Sequence, residues 1–102
     1  MKRHLIIRPE AKVDITKVVL WYEQRRRGLG SEVMSEIRSA INRALTRPQA
    51  FLQVRDNPRV HRVLVRRFPY RIFYVLRSHA LIVFAVLHAA RHHNNWMLRL
   101  LS

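Results

Sequence analysis

The stretch from residue 60 to residue 87 constrains the fold of this chain more than any other. It contains three short apolar segments that alternate as β-strands do, and arginines interrupt the first two. The joints at 68–69 and 77–79 are short enough for hairpins, so we expect antiparallel pairing. In the third segment, residues 80–87, both faces are apolar, which predicts a central, covered strand.

The N-terminal half predicts a short strand followed by two helices. Residues 4–8 are a strand candidate closed by Pro9, and proline suits the first turn of a helix. From there apolar residues recur at helical spacing, until Gly28 offers the left-handed residue that ends a helix. A second helix is expected from about Ser31 to just before Pro48. The short connection makes the two helices antiparallel, and each apolar stripe needs a sheet to lie against.

The remaining segments give weaker signals. Residues 48–59 contain two prolines and an Asp-Asn pair, so they predict a loop. Residues 92–101 predict a short C-terminal helix. We expect a single domain over residues 1–102, because 49% apolar residues in 102 can build one hydrophobic core.

The net charge of the chain limits the kinds of partner that it is expected to bind. The formal net charge is +14, from 20 Lys+Arg against 6 Asp+Glu, which favours nucleic acid, acidic proteins or anionic membranes. There are no cysteines, which excludes disulfides and thiolate metal sites and suits a reducing compartment. No apolar run has the length of a membrane helix or a signal-peptide core, so we expect a soluble, cytoplasmic protein without membrane contact.

Three sequence features could indicate a catalytic or binding site, but the residues around them do not support that interpretation. Gly28-Leu29-Gly30 follows a helix and lacks a third glycine, so it predicts a turn and not a dinucleotide site. The histidines lack the spacing and acidic neighbours of a zinc site, and we expect no metal and no cofactor. Five of the six carboxylates lie on the predicted helices, where a solvated face is the ordinary interpretation. The histidines are His4, His61, His79, His88, His92 and His93, and the helical carboxylates are Glu10, Asp14, Glu23, Glu32 and Glu36.

The arginines of the predicted sheet are the remaining candidates. Arg62, Arg71 and Arg91 come from the first strand, the second strand and the segment after the third. Adjacent antiparallel strands would bring them into one cluster. Guanidinium groups grip phosphate bidentately and can stabilise the charge of a transition state. The same cluster suits docking of an acidic peptide, or it is simply solvated charge on the outer face of the sheet.

Together, these segments resemble the RelE/ParE superfamily of toxins from bacterial toxin–antitoxin pairs. The matching motifs are WYEQRRRGLG at 21–30, RRFPYRIFY at 66–74 and LHAARHHNNWMLR at 87–99, in the same order and over nearly the whole chain. The resemblance implies an α+β fold of order β-α-α-β-β-β. In it the N-terminal strand precedes an antiparallel helical hairpin, which packs on a twisted antiparallel sheet.

The resemblance also implies a protein partner. Such toxins are paired with a co-encoded antitoxin whose extended C-terminal part wraps the toxin, in a hetero-oligomeric complex. A basic toxin suits an acidic, partly disordered antitoxin that folds on binding. One part of it would lie in a groove on the helical hairpin, and another would add along a sheet edge.

Within the superfamily, RelE-like members cut messenger RNA in the ribosome without a metal. Arg71 and Arg91 match positions where these nucleases carry catalytic arginines, and Arg62 falls where they have a lysine. Leu64 falls at a second lysine position. The usual C-terminal tyrosine falls near Trp96 or Met97, neither of which exchanges a proton. These departures weaken the nuclease interpretation.

The GLG, FPY and H-x-x-R…W motifs are more similar to the ParE-like branch, the plasmid stabilisation proteins, whose characterised members poison DNA gyrase. The first hypothesis is therefore a gyrase inhibitor that makes no chemical change of its own. Its expected contact residues are Arg66, Arg67, Arg71, Arg91 and Trp96.

Two alternatives remain open. One is a ribosome-dependent endoribonuclease, in which Arg62, Arg71 and Arg91 surround the scissile phosphate. Its candidates for the missing proton donor are His88, His92 and His93. The other is a non-toxic, basic RNA-binding protein.

Overall fold

Two helices lie against one face of a five-stranded sheet. The computed structural model describes residues 3–51, 53–54 and 57–90. The elements in chain order are β1 (His4–Ile7), α1 (Pro9–Arg25), α2 (Leu29–Thr46), β2 (Gln53–Val54), β3 (Asn57–Leu64), β4 (Tyr70–Leu76) and β5 (Ala80–His88). The α+β class, the helical hairpin and the three-stranded meander are confirmed. The predicted C-terminal helix over residues 92–101 lies outside the described residues.

The sheet is mixed, so the expectation of a wholly antiparallel sheet was wrong at its N-terminal strand. The strand order is β1-β5-β4-β3-β2, and β3, β4 and β5 pair antiparallel as predicted. β1 pairs parallel with β5, from His4 opposite Ala80 to Ile7 opposite Val83. A parallel partner needs a long crossover, and the helical hairpin belongs to that crossover. Residue alternation carries no information about so distant a partner.

The segment predicted as a loop over residues 48–59 contains strand structure. β2 lies within it and pairs with β3, and β3 begins at Asn57. Pro58 is tolerated because the pairing of β3 with β4 starts only at Val60, so no ladder bond to β4 is lost.

The turn between the helices depends on two glycines with different roles. Gly28 has φ of +89°, the left-handed conformation predicted for it, and α2 begins directly after it at Leu29, two residues earlier than expected. The carboxylate of Glu23 accepts hydrogen bonds from the backbone N–H of Gly28 (3.1 Å) and of Gly30 (2.9 Å). A Cβ on Gly30 would lie 2.9 Å from the carbonyl oxygen of Val19, so the helices are in close contact there.

Both faces of the sheet are buried, as predicted for its third strand. The face toward the helices packs residues such as Ile37, Ile72 and Leu81. The opposite face carries a second apolar cluster that includes Phe73 and Phe84. β5 therefore lies between β1 and β4 and is buried on both sides, because it has no polar face to present.

A β-bulge in β5 lies next to a hydrogen bond between β5 and α1. Tyr74 pairs with Val83 and Phe73 with Ala85, so Phe84 is the extra residue. The backbone N–H of Val86 then donates to Asp14 Oδ2 at 2.9 Å. The solvated role expected for the carboxylate of Asp14 was wrong, since it binds the strand.

Candidate interaction surface

Arg62 and Arg71 lie together on the sheet face that points away from the helices. Arg62 pairs with Phe73, and Leu64 pairs with Arg71, so these four side chains share one face. Burial, and next the positive charge of Arg71, lower the pKa of Arg62. Two of the three arginines of the predicted cluster therefore lie together. Arg91 and Trp96, the other expected contact residues of the C-terminal segment, lie outside the described residues.

The surroundings of Arg71 bear on what this face can bind. Its buried Nε finds no hydrogen-bond acceptor among the described residues. Apart from Arg62, its described neighbours on this face are apolar: Phe73 is buried on β4, and Leu64 on β3 is 57% exposed. A buried donor without an acceptor is costly, so this end of the face suits an anionic partner.

His88 lies on the other side of the sheet. It pairs with Tyr70 and makes an edge contact with that ring at 5.2 Å, and Tyr70 packs toward the helices. Its Nδ1 accepts a hydrogen bond from the N–H of Ala90 at 3.0 Å. His88 is therefore not placed to supply a proton at the Arg62–Arg71 pair. His92 and His93 lie outside the described residues.

The two arginines of the β3–β4 turn differ in their surroundings. Arg67 has φ of +72° and forms salt bridges with Glu32 (2.8 Å) and Glu36 (3.6 Å) on α2. The hydrogen bond with Glu32 raises the pKa of Arg67, and the pKa of Glu32 is lowered by Arg67 first and then by Arg26. Arg66 is exposed beside Arg43. Arg67 therefore holds the turn against α2, while Arg66 displays its charge.

A basic groove between α2 and β3 was not anticipated from the sequence. It consists of two adjoining cavities of about 620 Å³ and 410 Å³ that share Arg43 and Phe51. The described residues that line it are Ser35, Arg38, Ser39, Asn42, Arg43, Thr46, Arg47, Phe51, Arg62, Val63, Leu64 and Arg66. The signal available in the sequence was the helical spacing of the polar residues of α2, which by itself predicts only a solvent-exposed face.

Comparison with known families identifies the chain. Residues 5–93 match the family described as the ParE toxin of the type II toxin–antitoxin system, parDE. The chain belongs to the ParE toxin family. The predicted membership of the RelE/ParE superfamily is confirmed. The search of curated proteins returned no match.

Solved structures share the fold of this ParE-family chain. The chromosomal ParDE system from P. aeruginosa matches with a TM-score of 0.73 at 12% identity, over 85% of this chain and 96% of that one. The isolated E. coli RelE toxin matches with a TM-score of 0.65 at 19% identity, over 94% of each chain. A mutant E. coli RelE in complex with a peptide of the antitoxin RelBc matches with a TM-score of 0.65 at 20% identity, over 96% and 94%. These identities are low, so the likeness shows the fold.

This ParE-family toxin also exposes apolar side chains on α1. Leu20 is 56% and Trp21 47% exposed, and Val13 lies two turns before Leu20 on the same outward side. The guanidinium of Arg25 lies 4.0 Å from the centre of the Trp21 ring. β1, with exposed Leu5 and Ile6, forms one edge of the sheet. Neither described helix is apolar enough over its length to cross a membrane.

Proposed function

We propose that this ParE-family toxin arrests growth by binding and inhibiting DNA gyrase, without chemistry of its own. The observation that supports this most directly is the setting of Arg62 and Arg71. They lie together on an apolar sheet face, and in the described part of the chain no carboxylate, histidine or tyrosine stands beside them. Such a surface can bind an anionic patch of a protein, but it lacks a group that exchanges protons near pH 7.

The second candidate is a ribosome-dependent endoribonuclease. The Arg62–Arg71 pair favours it, because two guanidinium groups on one face can hold a phosphate and stabilise developing charge. Leu64 weighs against it, since an exposed leucine stands where RelE-like nucleases are expected to carry a lysine. The third candidate, a non-toxic RNA-binding protein, is not favoured, because the family is one of toxins.

We further propose that an acidic antitoxin neutralises the toxin in a cytoplasmic hetero-oligomer. In one related structure, E. coli RelE is bound to a peptide of its antitoxin RelBc. On this chain the outward apolar residues of α1 offer a seat for an amphipathic helix, and the free edge of β1 offers pairing to an added strand. Acidic residues flanking those apolar anchors would complement the net charge of +14.

The test is to induce the chain alone and to pulse-label DNA and protein synthesis during the first minutes. An early stop of DNA synthesis while translation continues supports the gyrase hypothesis. An immediate collapse of translation supports the ribonuclease, and undisturbed growth supports neither toxin hypothesis. Supercoiling by purified gyrase with added toxin then tests the target directly.

A further inference from the structure

The groove between α2 and β3 carries a concentration of positive charge that the Arg62–Arg71 pair does not explain. Five arginines line it: Arg38, Arg43, Arg47, Arg62 and Arg66. No carboxylate belongs to its described lining, and Glu36, whose charge acts on Arg43, also pairs with Arg67. Like charges held this close repel one another, so the groove favours an anion that neutralises several of them together.

Arg43 gives the groove a fixed central point. Its Nη2 donates to the carbonyl oxygen of Leu64 at 2.8 Å, and its Nη1 approaches Ser39 Oγ at 3.4 Å. The pairing of β2 with β3 reaches only to His61, so Arg43 satisfies an edge carbonyl that β2 leaves unpaired. Burial, and next the charge of Arg66, lower the pKa of the Arg43 guanidinium. Arg43 is therefore anchored, while Arg38 and Arg47 remain exposed on either side of it.

The remaining lining residues favour a phosphate backbone. Ser35, Ser39, Asn42 and Thr46 place hydroxyl and amide groups between the arginines, and such side chains, together with Arg, supply most phosphate contacts in DNA complexes. A helix-in-groove peptide site needs a row of apolar anchors instead. A single-strand site needs aromatic platforms for stacking, and Phe51 is the sole aromatic residue in the described lining.

We infer that the α2–β3 groove binds the phosphate backbone of duplex DNA. From Arg38 to Arg47 the groove extends about 13 Å at 1.5 Å per residue, a length over which one strand of a duplex carries about four phosphates. The inference rests on the proposed function, because a gyrase-directed toxin meets its target on duplex DNA. The groove would let the toxin contact the DNA while another face contacts the enzyme.

The test is fluorescence anisotropy of the purified chain with a fluorescein-labelled duplex of about 20 base pairs, at about 50–200 mM salt. The double variant Arg38→Glu/Arg47→Glu is compared with Lys12→Glu/Lys17→Glu, which changes the net charge equally on exposed positions of α1. Loss of two phosphate contacts should raise Kd at least about tenfold and reduce the slope of log Kd against log salt by about two. The control pair should change Kd less than about threefold, through long-range attraction alone.

Three outcomes would overturn the inference. The groove variant and the control variant could lose the same DNA affinity, or the groove variant could keep its Kd for DNA unchanged. In the third outcome, the groove variant keeps its affinity for DNA and loses binding of a labelled polyglutamate peptide. The last would make the groove an acidic-peptide site. Arg38→Gln/Arg47→Gln removes the charges without adding acids, and thermal melts confirm that each variant is folded. The anisotropy assay contains no gyrase, so a failure to bind DNA would contradict this inference alone. The supercoiling assay would still test the proposed inhibition of gyrase.

Discussion

At the scale of single residues, Asp14 connects two elements distant in sequence. Its carboxylate accepts a hydrogen bond from the backbone N–H of Val86, two residues after the bulge at Phe84, and its side chain is half-buried. The sequence offered an acidic residue near a helix start, which is compatible with the helix dipole and nothing more. The contact joins residues 72 positions apart in the sequence, so no local pattern could predict it.

Asp14→Ala should lower the free energy of unfolding by about 1–3 kcal/mol, because it leaves the N–H of Val86 without an acceptor. Urea unfolding measures the difference. Thr16→Ala, on the same helix, removes only a bond to the helix's own Lys12 carbonyl and should stay within about 0.5 kcal/mol. Equal losses in the two variants would contradict the role given to Asp14.

Arg71→Glu should abolish growth arrest on induction, because it replaces one of the two positive charges of the Arg62–Arg71 pair with a negative charge and so cancels the net charge of the pair. Colony formation after induction is the measurement, and soluble yield with thermal melting shows that the chain is folded. Arg27→Glu, an exposed change of the same charge in the turn between the helices, should keep full toxicity. Full toxicity of a folded Arg71→Glu variant would remove this face from the proposed target surface. Arg71→Gln provides the milder change.

At the scale of elements, the helical hairpin is held by its turn as well as by its apolar stripes. The apolar stripes could be predicted from the sequence. The left-handed conformation of Gly28 could be predicted as well, because it is a local requirement at the end of a helix. Gly30 was not distinguished from a plain turn residue. Its role depends on the approach of α2 to the carbonyl of Val19, which no local pattern reveals.

Gly30→Ala should destabilise the fold by about 1–3 kcal/mol, since its Cβ meets the backbone oxygen of Val19 at 2.9 Å and the helices must move apart. At Gly28 space is open, so the cost there comes from the left-handed backbone alone. Gly28→Asn should therefore lose less stability than Gly28→Ala, because asparagine tolerates that conformation better. Urea midpoints of the three variants decide whether space or backbone conformation limits each position.

The salt bridges of Glu32 give the β3–β4 turn a pH-dependent attachment to α2. Its pKa is lowered from the ordinary value of 4.5 in the folded chain, so ionised Glu32 adds stability above that value. This contribution is lost as the pH falls through the folded pKa. Thermal melts of the natural chain and Glu32→Gln should differ near pH 7 and converge at low pH. A constant difference across this range would contradict the attachment. High salt should also reduce the difference, because the pairs are exposed.

At the scale of the whole molecule, the apolar residues of α1 form a surface separate from the two arginine-rich surfaces. The Arg62–Arg71 pair lies on the sheet face away from the helices, and the basic groove along α2 and β3 adjoins that face at Arg62. The exposed apolar residues of α1 belong to neither surface. The Arg62–Arg71 pair was predictable, because strand alternation and the β3–β4 hairpin set which side chains share a face. The groove was not, because it depends on where Phe51 and the edge of β3 lie relative to α2.

Because the exposed apolar residues of α1 lie outside the arginine surfaces, antitoxin binding and growth arrest should be separable by mutation. Leu20→Asp should weaken neutralisation by the antitoxin while leaving growth arrest intact, since it places a charge among the outward apolar residues of α1. Co-expression with the antitoxin and titration of the purified pair measure the change, which should be at least about tenfold in Kd. His79→Asp, exposed in the β4–β5 turn, is the matched control. Equal neutralisation of both variants would place the antitoxin elsewhere.

The parallel pairing of β1 with β5 has a consequence for synthesis. His4 finds its partner only at Ala80, so β1 emerges from the ribosome long before the strand that holds it. At about 5–20 residues per second, the wait for β5 lasts roughly 4–15 s. During this interval the nascent chain presents an unpaired strand, and the toxin cannot complete its sheet. An antitoxin already present in the cell therefore has access to the chain before the toxin is fully folded.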